Sequence, residues 1–377
     1  MNKIKGMNKI KGMNSGKILS ALACACASAQ AFAASFLFTG SSDGDLSNYQ
    51  NYYALSETNA NDVYSMAIYL YSMDYAGDNS QMRAKCPEPS DGIVGKYEAA
   101  TSLPGVDDTI YLHAYKFAEV SGDTVTWNDT VFVPYPVSIK NSLTANQLLI
   151  RGGSPTIYLG DSAASESEFS LNLTNLKAGY THTNILVADG ARQTKFSINV
   201  SGDIAVRGGN NNYRFGSASA FIDSISANRV IDEGNMILFA RQFAVGSGGF
   251  RITNSGTLTV NVDDALFACT GDSALISVEG TFEKSANAIT FDFSNVSVDE
   301  IMAGTYNLIS AGELAGFDTS DARNDISFDS IYAMFGDKAS LAWNGNTLQL
   351  TIVPEPAAAA AFLGALAAAI AAARRRR

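Results

Sequence analysis

Apolar and polar residues alternate over short stretches along most of this chain, and turn-forming residues interrupt them every few positions. Leu348-Gln349-Leu350-Thr351-Ile352 and Phe291-Asp292-Phe293 show the period of two that gives a β-strand one face for the core and one for water. Ser35-Phe36-Leu37-Phe38-Thr39 and Thr109-Ile110-Tyr111-Leu112 are further strands, each beside a Gly- and Asp-containing turn. Helical periodicity is almost absent between residues 34 and 353. A Tyr- and Asn-rich stretch over 48–75 contains one more candidate strand around Met66, Ile68, Leu70 and Tyr71. Residues 79–96, with Pro87, Pro89 and Gly92, read as loop.

The strand pattern repeats. Ile150-Arg151-Gly152-Gly153 with Gly160 returns as Val206-Arg207-Gly208-Gly209 with Gly216, an offset of 56. Phe196, Ile198, Ser201-Gly202 and Val206 return as Phe250, Ile252, Ser255-Gly256 and Val260, an offset of 54. A looser copy starts at Val137-Ser138-Ile139. Near-constant offsets in β-rich sequence predict a solenoid with two or three coils per repeat, whose inward Val, Ile, Leu and Phe stack from coil to coil. Gly, Asn, Ser and Asp, as in Asn210-Asn211-Asn212, would turn the corners. The predicted fold is mostly β: a right-handed parallel β-helix over most of residues 103–340. An antiparallel β-sandwich or jelly roll is the alternative arrangement of many short strands.

Two further stretches bear on this reading. Phe38-Thr39-Gly40-Ser41-Ser42-Asp43-Gly44-Asp45, followed by Pro104-Gly105-Val106-Asp107-Asp108-Thr109-Ile110-Tyr111-Leu112, resembles the start of autotransporter-like surface passengers, which fold as parallel β-helices. Gly304-Thr305-Tyr306-Asn307-Leu308-Ile309 and Asn346-Thr347-Leu348-Gln349-Leu350 resemble their closing coils. Asn344-Gly345 is a hairpin signal, and a terminal hairpin there would cover the open edge of the last coil.

The end of the chain changes character. Val353-Pro354-Glu355-Pro356 can neither continue a strand nor enter a helix. Seventeen uncharged residues follow, from Ala357 to Ala373, and then Arg374, Arg375, Arg376 and Arg377. As a helix the uncharged run is roughly 25 Å long, just short of a bilayer core of about 30 Å. Twelve of the seventeen are Ala, so insertion depends on Phe362, Leu363, Leu366 and Ile370, and the arginines would stay on the cytoplasmic side. This tripartite tail resembles the PEP-CTERM sorting signal. The resemblance implies recognition of the V-P-E-P motif by an exosortase, removal of the transmembrane helix, and delivery to the cell surface or extracellular matrix of a Gram-negative-type bacterium. Pro87-Glu88-Pro89 has no apolar span behind it and reads as a loop.

The opposite end agrees with export. Lys3, Lys5, Lys9, Lys11 and Lys17 precede a short apolar run, and small-residue cleavage sites end at Ala31 or Ala33. Met-Asn-Lys-Ile-Lys-Gly occurs twice, at 1–6 and 7–12, and Met13 follows, which reads as a duplicated or a misassigned start, at Met1, Met7 or Met13. A lipobox at Cys24 would want Leu at position 21, where Ala21 stands. The organisation read from sequence is thus a signal peptide over 1–33, an N-terminal β cap region over 34–102, a repetitive body over 103–353 and a sorting signal over 354–377.

Composition narrows the function. Setting aside the five leader lysines, the four terminal arginines and Glu355 leaves 17 basic against 36 acidic residues, a net −19. Such a surface repels nucleic acid and leaves room for weak Ca²⁺ association. Asp43 and Asp45 sit in a turn that lacks the ligand spacing of an EF-hand and reads as solvated. Cys86 and Cys269 could pair in an oxidising periplasm but make no disulfide framework, and Cys269 within Ala-Leu-Phe-Ala-Cys reads as a buried small hydrophobe.

Chemistry is sparse. His113 and His182, the two histidines, lie among alternating residues and read as strand surface. No nucleophile elbow, P-loop or dinucleotide fingerprint occurs. Asp107-Asp108 and Asp263-Asp264 are adjacent, and on strands adjacent side chains face apart. Arg151 and Arg207, at equivalent repeat positions, are the residues that could line an active face if the chain were a β-helix polysaccharide lyase or hydrolase. Tyr49, Tyr52, Tyr53, Tyr64, Tyr69, Tyr71 and Tyr75 are either glycan-stacking rings or packing for a cap. The sequence therefore predicts an exported, non-catalytic surface protein without cofactor. Signal peptidase and an exosortase would process it, the tail would hold it in the membrane before processing, and extracellular polysaccharide is its candidate partner. A secreted carbohydrate-active enzyme and a glycan-binding adhesin are the alternatives.

Overall fold

The computed structural model describes residues 34–38, 42–55, 97–113, 115–121, 124–131, 137–151, 155–179, 182–285, 287–297, 303–327 and 329–353. The expected leader, the strand around Met66 to Tyr71, Cys86 and the tail from Pro354 to Arg377 lie outside them. The chain is mostly β. Its strands are β1 (Ser35–Phe38), β2 (Tyr52–Leu55), β3 (Tyr97–Ala99), β4 (Thr109–His113), β5 (Tyr115–Ser121), β6 (Thr124–Val131) and β7 (Val137–Ile139). There follow β8 (Leu143–Arg151), β9 (Thr156–Leu159), β10 (Glu168–Gly179), β11 (Thr183–Val187), β12 (Lys195–Phe215), β13 (Ser224–Phe239) and β14 (Phe243–Ile252). The last are β15 (Thr257–Asn261), β16 (Ile276–Lys284), β17 (Ile289–Asp292), β18 (Gly304–Ala315), β19 (Ile326–Ser327), β20 (Ala339–Asn344) and β21 (Thr347–Ile352). Among the described residues one short α-helix, α1 (Asp329–Phe335), went unread in the sequence because seven residues cannot display a period.

All strands except the β5–β6 hairpin belong to one large mixed sheet. Within it run two parallel ladders. The first is β1, β4, β8, β10, β12, β13, β14, β16, β18. The second is β7, β9, β11, β12, β13, β15, β17, β19. From β7 onward the chain alternates between them, and β12 and β13 are long enough to serve both in turn. β12 makes the change between Arg207 and Asn212, where the register slips against β13. Gly208 lies there with φ of 104°, a conformation that disfavours any side chain. The corner predicted at Asn210 to Asn212 is this bend.

Each ladder buries one apolar row after another. Leu143, Leu171, Ile198, Ile225, Phe243, Ile276 and Ile309 are successive partners in the first ladder, and all are buried. Val137, Ile157, Ile185, Phe215, Leu238, Val260 and Phe291 are the corresponding row of the second. Residues of both ladders merge in one continuous core. Phe250 and Phe282, on neighbouring strands, stack at 4.7 Å with an 11° interplanar angle.

The register explains one sequence repeat and corrects another. Ile150 pairs with Ala178 and Ala178 with Val206, so the offset of 56 is two rungs of the first ladder. The offset of 54 is not structural. Phe196 partners Phe169, whereas Phe250 partners Val230, and Val206 and Val260 stand in different ladders. The looser copy at Val137 likewise belongs to the second ladder. A local F-x-I pattern recurs wherever an inward pair of residues is needed, so resemblance alone does not fix the rung.

Among the described strands, antiparallel pairing in the large sheet lies at the two ends of the first ladder. β1 pairs with β2 and β2 with β3 at one end. At the other, β21 pairs with β18 and β20, around Gly345 with φ of 60°. The Asn344-Gly345 hairpin therefore lies where the sequence placed it, against the last long strand. The parallel ladders are the reverse of what the antiparallel sandwich requires. Among the described residues no helix is long and apolar enough to cross a membrane, and the expected span from Ala357 to Ala373 lies outside them.

Candidate functional site

The outward face of the first ladder carries a polar row. The register places Thr144, Asn172, Asn199 and Ser226 side by side on β8, β10, β12 and β13. Asn199 Nδ2 donates to Asn172 Oδ1 at 2.9 Å, and Asn172 Nδ2 to Thr144 Oγ1 at 3.4 Å. Ser226 Oγ donates to Asn199 Oδ1 at 3.3 Å, completing the ladder. Repeating an amide at one strand position lets each side chain satisfy the next, as stacked Asn does wherever identical strands lie in register. Thr174 and Ser201 border this row, Ala145, Leu173 and Val200 lie beneath it, and the exposed Val106 forms one wall. Together they line an open groove of about 460 Å³, with no titratable side chain among the described lining residues. Such a lining can hydrogen-bond a neutral hydroxylated ligand and can neither donate nor remove a proton at physiological pH.

The sequence had a signal for this row that the offsets of 54 and 56 obscured. Phe169-Ser170-Leu171-Asn172-Leu173 and Phe196-Ser197-Ile198-Asn199-Val200 match position by position, and the register pairs them residue for residue.

The residues expected to carry chemistry are dispersed. His113, Arg151, Gly179, Arg207 and Glu233 are successive backbone partners in one register row, so a glycine rung separates the two arginines. Arg207 Nε lies 3.8 Å from Glu233 Oε2, a cross-strand surface ion pair. His182 is exposed, and its Nδ1 accepts the Asn212 N–H at 3.0 Å. The two Asp pairs are not on strands. Asp108 accepts from Gly105 N and Ala34 N in a turn. Asp263 caps a short 3-10 helix through Ala265 N at 3.1 Å and also accepts from Arg241 Nε at 3.0 Å. Asp264 accepts from Ser297 N.

The turn with Asp43 and Asp45 is built rather than merely solvated. Asp45 is buried and accepts from Ser47 N, Ser47 Oγ and Lys140 N. Lys140 Nζ lies 3.7 Å from Asp45 and 3.9 Å from Asp43. Burial alone would push the Asp43 carboxyl up, but hydrogen bonds from Asn51, the Asp45 backbone and Asn48, with the Lys140 charge, hold it below the usual range. An ammonium therefore stands where a cation would bind. Among the described residues no group of three or more His, Cys, Asp or Glu could hold a metal ion. Of the tyrosines, Tyr49 is exposed, Tyr53 half-buried, and Tyr52 buried against Phe36 and Phe38. Tyr64, Tyr69, Tyr71 and Tyr75 lie outside the described residues. Cys269 is buried, as expected, and burial with the nearby Asp263 charge raises its thiol to about 11.

Three buried charged residues were not anticipated. Lys284 and Asp325 form an ion pair at 2.8 Å, both nearly inaccessible. Asp232 lies in an inward row between Val206 and Ile252, two rungs from Lys284. Compared with known protein families, with curated proteins and with solved structures, the chain matches none.

Proposed function

We propose that this chain is an exported, non-catalytic cell-surface or extracellular-matrix protein, delivered by an exosortase-type system that reads its PEP-CTERM-like tail. The observation that carries the proposal is where the tail begins. β21 ends at Ile352, Val353 N donates to Lys338 O at 2.9 Å, and the Val353 side chain is 54% exposed. Val353-Pro354-Glu355-Pro356 therefore starts on the surface, one residue past the last rung, where a membrane-embedded transpeptidase could reach it. In this reading the two alternating ladders wind as a parallel β-helix. Its right hand follows from the strong preference of parallel crossovers for that sense. The outward ion pairs, such as Arg251 with Glu283 and Arg207 with Glu233, then serve as surface ladders rather than as a site.

Expression with and without an exosortase tests the sorting step. The proposal expects a surface form lacking Ala357 to Arg377 in the first case and an uncleaved inner-membrane form in the second. A second reading, a glycan-binding adhesin, is favoured by the groove along Thr144, Asn172, Asn199 and Ser226. Incubation with acidic and neutral polysaccharides separates the readings. Binding lost on Asn199→Leu would support the adhesin, and depolymerisation lost on Arg207→Ala would support a carbohydrate-active enzyme. Neither effect leaves the structural role.

A further inference from the structure

The backbone around Ala34 is held as a docked terminus would be. Ser35 pairs in parallel with Thr109 and Phe36 with Ile110, so the first ladder fixes the chain from Ser35 onward. One residue earlier, the half-buried Ala34 accepts Thr109 N–H at its carbonyl at 2.9 Å and donates its own N–H to Asp108 Oδ1 at 2.8 Å. Asp108 is itself constrained. Its Oδ2 accepts Gly105 N–H at 2.7 Å, and its carbonyl accepts Asn146 N–H at 2.9 Å. The carboxylate is thus held in place and directed at one backbone nitrogen.

Two small-residue cleavage sites precede this nitrogen, one ending at Ala31 and one at Ala33. We infer that Asp108 is the receiving site for a new α-ammonium at Ala34, and that leader removal occurs between Ala33 and Ala34. The inference rests on the export reading above. Hydrolysis there adds the water hydroxyl to the Ala33 carbonyl carbon and a proton to the Ala34 nitrogen, which takes a second proton from solvent at neutral pH. An amide with one hydrogen becomes a cation with three, already in hydrogen-bond reach of a carboxylate, and charge-assisted bonds of this kind are the stronger class. Cleavage after Ala31 would leave Phe32 and Ala33 attached, and Ala34 N would stay a neutral amide. Maturation at one of the two sites therefore locks β1 to β4 at the start of the first ladder, and maturation at the other does not.

The test compares chains released from a fusion to begin at Ala34 or at Phe32, each running to Arg377 in detergent, with and without Asp108→Asn. The chain beginning at Ala34 should melt higher by roughly 2 °C, and D108N should erase that difference. Equal melting of the two chains with Asp108 present would overturn the inference. A second measurement needs no variant: an aminopeptidase should trim the Phe32 chain by two residues and stop at Ala34, whereas trimming through Ala34 would count against the lock. The amino terminus of protein exported by the native host separates the two layers. A start at Ala34 supports both, a start at Phe32 overturns this inference and leaves export intact, and a retained leader overturns the export reading itself.

Discussion

Asp232 allows a quantitative prediction about pH. Its side chain is fully buried between Val206 and Ile252, with Oδ1 accepting the Gly234 N–H at 3.0 Å and Oδ2 without a hydrogen-bond partner. Burial pushes this carboxyl well above the usual range, the Gly234 N–H opposes the shift, and the Glu233 charge adds to it. The folded protein therefore keeps a proton here that the unfolded chain releases near pH 3.9, the ordinary value for Asp. Below that pH the residue contributes no pH dependence. Between that pH and the raised folded value it removes about 1.36 kcal/mol of stability for each pH unit. Asp232→Asn keeps an acceptor for Gly234 and cannot ionise. Urea denaturation of the full chain in detergent, from about pH 4 to about pH 8, gives both stability curves. The wild type should lose ground to D232N steadily as pH rises through this window. Parallel curves would refute the reasoning and show that the carboxylate is solvated or paired in the folded state.

Lys284→Ala should cost about 3–5 kcal/mol, since it strands the buried Asp325 carboxylate. The double variant Lys284→Met, Asp325→Asn should recover much of that loss in the same denaturation assay. Phe282→Ala, which removes a buried ring stacked on Phe250, should cost about 3–5 kcal/mol by the same measurement. With its thiol raised to about 11, Cys269 should resist alkylation near pH 8 in the folded protein and react at once in urea.

The alternation of single strands was legible because one residue in two must face the core, and β21 and β17 follow it residue by residue. The turn at Asn344-Gly345 was legible because few dipeptides accept that backbone. Rung assignment was harder, because the steps are unequal. Ile198 to Ile225 is 27 residues, Ile225 to Phe243 is 18, and Phe243 to Ile276 is 33. A constant offset therefore matches the evenly spaced strands and misaligns the rest, as with Val206 and Val260. The polar row at Asn172 and Asn199 was present as a 27-residue match that the longer offsets concealed. Asp232 and Lys284 were not legible, since nothing local distinguishes an inward charge from an outward one. Both occupy the row that contains Ile150 and Val206, so Val206→Asp would place a second acid beside an existing one. Asp45 was misread as solvated because its partner, Lys140, is supplied by a distant turn.

The intact mass of the protein recovered from the surface of its native host tests the central claim most directly. The account predicts one species that begins at Ala34 and ends within the Val353-Pro354-Glu355-Pro356 junction, without the apolar run and the four arginines. A surface species that still carries Ala357 to Arg377 would contradict it.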